Sequence, residues 1–383
     1  MHRNIKKKKL FIKIVNRRTV EMQYDFSKMH YLDKRYNYNI VVKPNSFNKN
    51  SGKEVLQYAV GALLYMPASN DKVASRIIAG QAETWKSIVL DLEDALGDDL
   101  VGFGQRAIVK TVTKLGDAIK DGKLTIDNLP LIFVRVREPK QIRETLEMLG
   151  EYTQYITGFN IPKFDKTTCD KYIKEFVSVR NEVKSKYKTD LYIMPIIENK
   201  NTMYRQLRMD NLLYMNDKLR AIQDSVLNIR VGGADFCSVY GIRRSITDDI
   251  YDIGVVRSVL NDIMNVFGKS YIVSGPVWEY FENKDNPSDE RWRVGLQHEL
   301  YADRLNGFIG KTVIHPSQVL EVQSSLVVHK EDYDDAMNII GMNANLTGVK
   351  KSAAGNRMNE VKTHWNWARK IVGLASVYGV RED

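Results

Sequence analysis

Short apolar runs recur along the chain between Gly61 and His315, and each is followed by a more polar stretch. Uninterrupted apolar runs, as opposed to alternating ones, are typical of strands buried on both faces of a parallel sheet. We therefore predict a β-strand at each run. The eight runs are Ala62–Met66, Ser87–Leu92, Leu131–Val136, Gly158–Pro162, Leu191–Ile197, Leu227–Val231, Ser270–Ser274 and Gly307–Ile314.

The stretches between the runs carry apolar residues at helical spacing, which predicts a helix after most strands. The predicted helices are Asp71–Thr84, Ala107–Ile119, Gln141–Tyr152, Cys169–Tyr187, Asp249–Phe267 and Glu290–Arg304. Eight strand–helix repeats in about 255 residues match the size of a closed (β/α)₈ or TIM barrel. A doubly wound open sheet of the α/β class is the structural alternative.

The two ends of the chain differ from this repeat. Residues 1–57 are rich in Lys, Asn and Tyr and have weak periodicity, so we predict a basic N-terminal extension with short strands near Leu10–Val15 and Tyr38–Val42. The barrel is then expected over residues 58–326. Residues 327–383 are predicted to form a linker and a helix near Asn359–Tyr378, which would act as a lid or an oligomer contact.

The formal net charge of +10 raises the question of a polyanionic partner. Part of the excess lies in two clusters near the N-terminus, Lys6–Lys9 and Arg17–Arg18. Such runs are more often solvated tails, so nucleic-acid binding is not expected, although it is kept as an alternative function. Further Lys and Arg in the body of the chain would suit a small anionic substrate equally well.

No membrane span or secretory signal is predicted, and the cysteine pattern favours reduced thiols, so a cytoplasmic protein is expected. No apolar run approaches the roughly 18 residues needed to cross a bilayer, and a membrane partner is not expected. The apolar segment near the N-terminus is short and is interrupted by Lys13, so a secretory signal is not expected. Cys169 and Cys237 form neither a metal-binding nor a redox motif, which favours reduced thiols.

Charged side chains follow six of the eight predicted strands. In a TIM barrel the carboxyl ends of the strands carry the catalytic groups, so these side chains should converge on one rim. They are Asp91 and Glu93, Arg135 and Arg137, Lys163, Glu198, Asp235, and His315. A set of isolated surface charges is the alternative, but six coincidences make it the weaker explanation.

The chemistry of these residues is mutually consistent. Glu198 and Asp235 would offer the hard oxygen ligands that Mg²⁺ prefers, leaving other positions to water and substrate. A metal chelated by a 2-oxo acid polarises its carbonyl. Arg135 could hold a carboxylate or a developing enolate. These are the requirements for breaking or making a carbon–carbon bond next to a carbonyl.

An ordered set of motifs over residues 61–320 resembles the citrate lyase β-subunit and HpcH/HpaI aldolase family. The segment at 63–69 is similar to LLFVPGN, residues 88–95 to ILDLEDA, and Gly233–Asp235 to GAED. Val134–Val136 resembles VRVN with Arg137 in place of Asn, Ile161–Lys163 resembles LPK, and Gly310–Gln318 resembles GKxxIHPxQ. The divergent ends suggest a branch similar to the lyases found beside tellurium- and stress-resistance genes.

The resemblance implies a Mg²⁺-dependent carbon–carbon lyase with Glu198 and Asp235 as metal ligands. Arg135 would stabilise the enolate, and Asp91 and Glu93 would order water at the metal. Lys163, Arg137 and His315 would contact an anionic substrate: a 2-oxo acid, an acyl-CoA or a phosphorylated compound.

Two departures affect the substrate. The family commonly has an Arg before the first strand that helps to bind coenzyme A phosphate, and Gly61–Ala62 stand there instead. Arg243 and Arg244 follow Asp235 in a long loop and could form a phosphate or carboxylate subsite. Their alternative is to pair with acids such as Asp248. With a phosphate subsite, another enzyme of the phosphoenolpyruvate/pyruvate superfamily is a further possible function.

The C-terminal segment faintly resembles the GKMID lid of malyl-CoA-type relatives. Glu360 is the candidate acidic lid residue, which in those relatives completes the site of a neighbouring subunit. The alternative interpretation is that Glu360 is an acidic residue that stabilises the N-terminus of a helix. The resemblance also implies a homo-oligomer, commonly a trimer or a hexamer.

Overall fold

The computed structural model describes residues 38–94, 101–342, 348–352 and 355–382. The predicted strand at Leu10–Val15 and the basic clusters near the N-terminus lie outside these residues. None of the helices in the described part of the chain has the length and hydropathy needed to span a bilayer.

Eight parallel strands form a closed barrel. They are β1 (Ala62–Pro67), β2 (Ser87–Asp91), β3 (Leu131–Arg135), β4 (Gly158–Ile161), β5 (Tyr192–Ile197), β6 (Asn228–Val231), β7 (Ile272–Val273) and β8 (Lys311–Val313). Neighbours in sequence pair from β1 to β7, and β8 pairs with β1. A bridge between Gly275 and Lys311 joins β7 to β8. The predicted TIM barrel is therefore confirmed, and the open-sheet alternative is wrong.

Each strand is followed by a helix of the outer layer. These are α1 (Val73–Ile78), α2 (Val101–Lys120), α3 (Lys140–Leu149), α4 (Cys169–Tyr187), α5 (Arg205–Arg220), α6 (Gly254–Phe267), α7 (Arg291–Leu305) and α8 (Ser317–Ser324). All six predicted helices are present, although α1 is shorter than predicted. The sequence pattern does not predict α5, because polar Arg208 and Asn211 occupy its buried face.

The strands are mostly apolar because both of their faces are buried. Ile88 and Leu90 of β2 face outwards into the core shared with the helices. Val89 lies in the second core, inside the barrel, with Leu63 and Phe133. This two-sided burial explains why continuous apolar runs located every strand.

The two ends of the described chain close the N-terminal end of the barrel together. Strand Val380–Glu382 pairs antiparallel with Asn39–Val42 and parallel with Val328–His329. Helices Lys53–Ala59, Lys330–Gly341 and Val361–Tyr378 complete this layer, and a hairpin of Val349–Lys351 and Met358–Glu360 lies before the last helix. The boundary predicted after residue 57 falls inside the first of these helices. Tyr378 packs into the barrel's inner core, so the last helix ends opposite the rim that carries the predicted site.

Gly61 is the point at which this closing layer meets the barrel. Its φ is +43°, and a Cβ there would lie 2.1 Å from the Tyr378 hydroxyl, which donates a hydrogen bond of 2.8 Å to the Tyr58 carbonyl. Only glycine combines this conformation with so close an approach.

We expect Gly61→Ala to lower the free energy of unfolding by several kcal/mol. The left-handed conformation costs roughly 1–2 kcal/mol, and displacing Tyr378 adds an overpacking cost of about 1–3 kcal/mol. Gly122→Ala is the matched control, because Gly122 has φ +72° but nothing within 4 Å of a new Cβ. Denaturant unfolding of both variants measures the difference. Equal losses would show that the Tyr378 contact contributes nothing.

Candidate active site

A cavity of about 410 Å³ opens at the carboxyl ends of the strands. Its polar lining combines acids, one arginine and two hydroxyl groups. The polar lining residues are Tyr65, Asp91, Asp94, Arg135, Glu198, Asp235 and Thr312. Four of the predicted site residues therefore meet in one cavity, at the rim where the sequence places them.

Glu198 and Asp235 face the same small space. Glu198 directly follows β5, and Asp235 lies in the first turn of helix Gly233–Val239, which follows β6. A Cβ on Gly232 would lie 2.8 Å from Oε2 of Glu198 and 2.9 Å from Oδ2 of Asp235. The two carboxylate oxygens thus converge on one point that only a glycine leaves free. The other Glu198 oxygen accepts a hydrogen bond of 2.8 Å from the Lys163 backbone N–H.

Burial and mutual repulsion make this pair a poor place for two negative charges. Burial and the adjacent Asp235 raise the pKa of Glu198 to about 8. Burial and then Asp94 raise the pKa of Asp235. A divalent cation between the two carboxylates would remove both penalties.

The donor set suits a hard cation that keeps open positions. Across the described residues, no group of three or more His, Cys, Asp or Glu side chains forms a ready-made metal cage. Two carboxylates leave the remaining ligands to water and substrate, as Mg²⁺ sites commonly do. The residues present therefore fit Mg²⁺ better than a closed structural metal site.

Arg135 is fixed at the cavity wall by carboxylates. Its Nε and one terminal nitrogen donate to the two oxygens of Asp91, each at 2.6 Å. The other terminal nitrogen lies 3.1 Å from Glu93 and 3.0 Å from Asp94. Both oxygens of Asp91 orient Arg135, and Asp91 also lines the cavity, so its role in ordering water at the metal stays a prediction.

Glu93 connects two cations and does not line the cavity. It forms an ion pair with the Lys163 side chain as well as with Arg135. These ion pairs let Glu93 position Arg135 and Lys163, and its predicted role at metal-associated water stays a prediction. Lys163 has a positive φ of 47° and reaches the site through its backbone N–H to Glu198.

The predicted arginine subsite is wrong for Arg244. Its side chain is almost fully buried and bonds to Glu299, to Glu279 at 3.3 Å and to the Val277 carbonyl, with the Trp278 ring 4.8 Å away. These contacts hold the guanidinium away from the cavity. Arg243 is exposed, lies 3.8 Å from Glu279 and is outside the cavity lining.

Three further predicted residues are outside the cavity lining. Arg137 contributes its backbone N–H to Gln141 and its carbonyl to Tyr172. His315 stacks on Phe281 at 4.6 Å, next to the lining residue Ile314. Glu360 lies in the C-terminal hairpin, where its backbone N–H donates to His364. The role of Glu360 in a neighbouring subunit stays a prediction.

The polar residues at the base of the cavity, its floor, are not predicted from the sequence. Tyr65 and Thr312 line it, and Arg230 and Asn160 lie directly beneath them, each bonded to one of the two. One signal was available: Arg230 is a charged residue inside an apolar run, on the same strand face as Asn228 and Gly232.

A family match accounts for this arrangement. The sequence model of the family described as C–C bond lyase of the TIM-barrel fold matches residues 54–380. The chain belongs to this family of C–C bond lyases. The predicted citrate lyase β-subunit-like family and the enzyme class, a carbon–carbon lyase, are confirmed.

Two solved structures from Mycobacterium tuberculosis are similar to this lyase. CitE from Mycobacterium tuberculosis, in complex with magnesium, acetoacetate and coenzyme A, is 17% identical with a TM-score of 0.53, covering 83% of this chain and 99% of CitE. The citrate lyase beta subunit from M. tuberculosis complexed with oxaloacetate and magnesium is 18% identical with a TM-score of 0.46, covering 70% and 98%. At these identities the first match supports the fold alone. No curated protein matches the sequence of this lyase.

We expect the metal-free protein to lose stability with rising pH because of Glu198. A carboxyl group whose pKa is raised to about 8 on folding stabilises the protein fully below its unfolded pKa, and that stabilisation is lost as pH rises through 8. In EDTA, the melting temperature of the wild type should fall more steeply between pH 5 and 8.5 than that of Glu198→Gln. The exposed Glu147→Gln is the control for removing one charge. If the melting temperatures of all three proteins changed in parallel with pH, the raised pKa of Glu198 would be contradicted.

Proposed function

We propose that this lyase is Mg²⁺-dependent and cleaves or forms a carbon–carbon bond in a 2-oxo or 3-hydroxy acid, or its thioester, through an enolate. The observation that carries the proposal is the convergence of Glu198 and Asp235 across Gly232, in the same cavity as Arg135. CitE, which shares the fold, was solved with magnesium, acetoacetate and coenzyme A, and this supports the same metal and a carbonyl substrate.

Each residue has a distinct part in the proposed reaction. Glu198 and Asp235 hold Mg²⁺, which when bound supplies Lewis-acid polarisation of the substrate carbonyl. Arg135 places a fixed positive charge where the enolate oxygen becomes negative. Asp91 holds that guanidinium by two bonds before substrate arrives, so little reorganisation is needed during the reaction.

The state of Arg244 narrows the chemical class of the substrate. Its guanidinium pairs with the buried acid Glu299 and is not available to bind a phosphate. This favours a free acid over a phosphorylated compound and weakens the alternative of a phosphoenolpyruvate-type enzyme. The nucleic-acid alternative rests on residues 1–18, which lie outside the described residues, and gains no support.

The proposed enzyme acts as a cytoplasmic homo-oligomer, a trimer or a hexamer. Cys169 and Cys237 are both buried and unbridged, which is consistent with a reducing compartment. Glu360 of a neighbouring subunit is the proposed acidic residue of the lid.

We expect Glu198→Gln and Asp235→Asn each to abolish Mg²⁺ binding and Mg²⁺-dependent turnover. Each change removes one of only two protein ligands while keeping the shape of the side chain. Isothermal titration with Mg²⁺ and assays on a panel of 2-oxo acids and acyl-CoAs measure the two effects. Glu147→Gln is the control. Unchanged Mg²⁺ affinity in either variant would remove that residue from the metal site.

We also expect Gly232→Ala to weaken Mg²⁺ binding by about tenfold or more, although it removes no ligand. The new methyl group would occupy the space on which the two carboxylates converge. Gly254→Ala is the matched control, since nothing lies within 4 Å of a Cβ there and its φ is outside the left-handed region. Wild-type Mg²⁺ affinity in Gly232→Ala would place the ion elsewhere.

A further inference from the structure

Arg230 is a fully buried cation inside the barrel, immediately below the cavity. It belongs to β6, two residues before Gly232, and only 1% of its surface is exposed. One terminal nitrogen donates to the Thr312 hydroxyl at 2.5 Å, and the other lies 3.5 Å from the Asn228 side-chain oxygen. Its Nε has no hydrogen-bond partner.

Among the residues that the structure describes, Arg230 has no counterion. None of their carboxylates forms an ion pair with it, and its contacts are to neutral hydroxyl and amide oxygens. Tyr65 cannot serve as the anion, because burial raises the pKa of its phenol even though Arg230 and Arg135 oppose this. An unpaired buried charge is expensive, so a protein rarely keeps one without a purpose.

Two of the side chains next to Arg230 line the cavity. Thr312 and Tyr65 both line it, together with Glu198 and Asp235. The Tyr65 hydroxyl accepts a bond of 2.5 Å from Asn160, whose own side-chain oxygen is buried without a partner. Two hydroxyl groups line the bottom of the cavity, and the uncompensated guanidinium lies directly behind Thr312, outside the lining. Together these groups have the chemistry to bind an anion.

We propose that Arg230, Thr312 and Tyr65 bind a second carboxylate of the substrate, so that this lyase acts on a dicarboxylic acid. The proposal rests on the proposed function: the reacting end of the substrate lies at Glu198 and Asp235, and the distal carboxylate lies at the floor. A cavity of about 410 Å³ has room for an acid of this kind. The substrate thus supplies the charge that Arg230 lacks.

The first test measures the stability of the full-length chain in EDTA and low-anion buffer. Arg230→Met should be as stable as the wild type or more stable, because it removes a buried charge without a partner. Arg208→Met is the matched control: Arg208 is also buried, but it pairs with Asp262 at 2.7 Å and donates to two backbone carbonyls. The control should be clearly destabilised. A loss in Arg230→Met equal to that of the control would overturn the proposal.

The second test measures anion binding, with malonate as the dicarboxylate probe, acetate as the monocarboxylate probe, and NaCl at matched ionic strength. In EDTA, both carboxylates should raise the melting temperature of the wild type above the NaCl value. Arg230→Met should abolish this effect, and Thr312→Val should weaken carboxylate affinity by about tenfold. Thr312→Val keeps Arg230, so it remains informative if Arg230→Met does not fold.

Measurements with Mg²⁺ distinguish a failure of this proposal from a failure of the proposed function. With Mg²⁺ present, malonate should bind the wild type at least tenfold more tightly than acetate, and Arg230→Met should remove that preference. Anion protection without any Mg²⁺ binding would refute the metal-dependent function but keep the floor subsite. Mg²⁺ binding with no dependence of anion binding on Arg230 or Thr312 would refute the subsite alone.

Discussion

The rest of the site depends on the repulsion between two carboxylates at the ends of adjacent strands, because this repulsion creates the need for a bound cation. Glu198 and Asp235 are brought together by strand pairing, which neither side chain can relax, and Gly232 lets them approach. A buried pair of this kind is unfavourable unless a cation or a proton joins it. The site is therefore built to be completed by a ligand, and the stability of the metal-free barrel must come from elsewhere.

Two buried cations of the barrel, Lys311 and Arg244, are held by ion pairs. Lys311 lies 2.8 Å from Glu299 and 2.6 Å from Asp303, and Arg244 bonds to the same Glu299. Each of these cations has anionic partners supplied by the chain itself. Arg230 differs because its partners are neutral. In the proposed complex, the substrate carboxylate supplies the negative charge that Glu299 and Asp303 supply to Lys311.

The sequence pattern predicts every strand of the barrel and the carboxylate pair, because burial on both strand faces and the order of strands are local or topological properties. It failed where partners are distant in sequence. Arg244 looked like a subsite because Glu279 and Glu299, 35 and 55 residues away, carry no local signal of pairing. Arg230 was absorbed into an apolar run, since a single charge does not break the pattern that predicts a strand. Helix α5 was missed because its buried face is partly polar.

The barrel is filled by side chains at the end opposite the cavity. Tyr378, Tyr58 and Leu56 fill the N-terminal end and join the inner core below Phe133. The described chain therefore fills the barrel at the end opposite the cavity. Tyr65 and Thr312 lie at the base of the cavity, and Arg230 lies directly behind Thr312. In the proposed complex, the distance between this base and the two metal ligands selects the length of the dicarboxylic acid, independently of the chemistry at the rim.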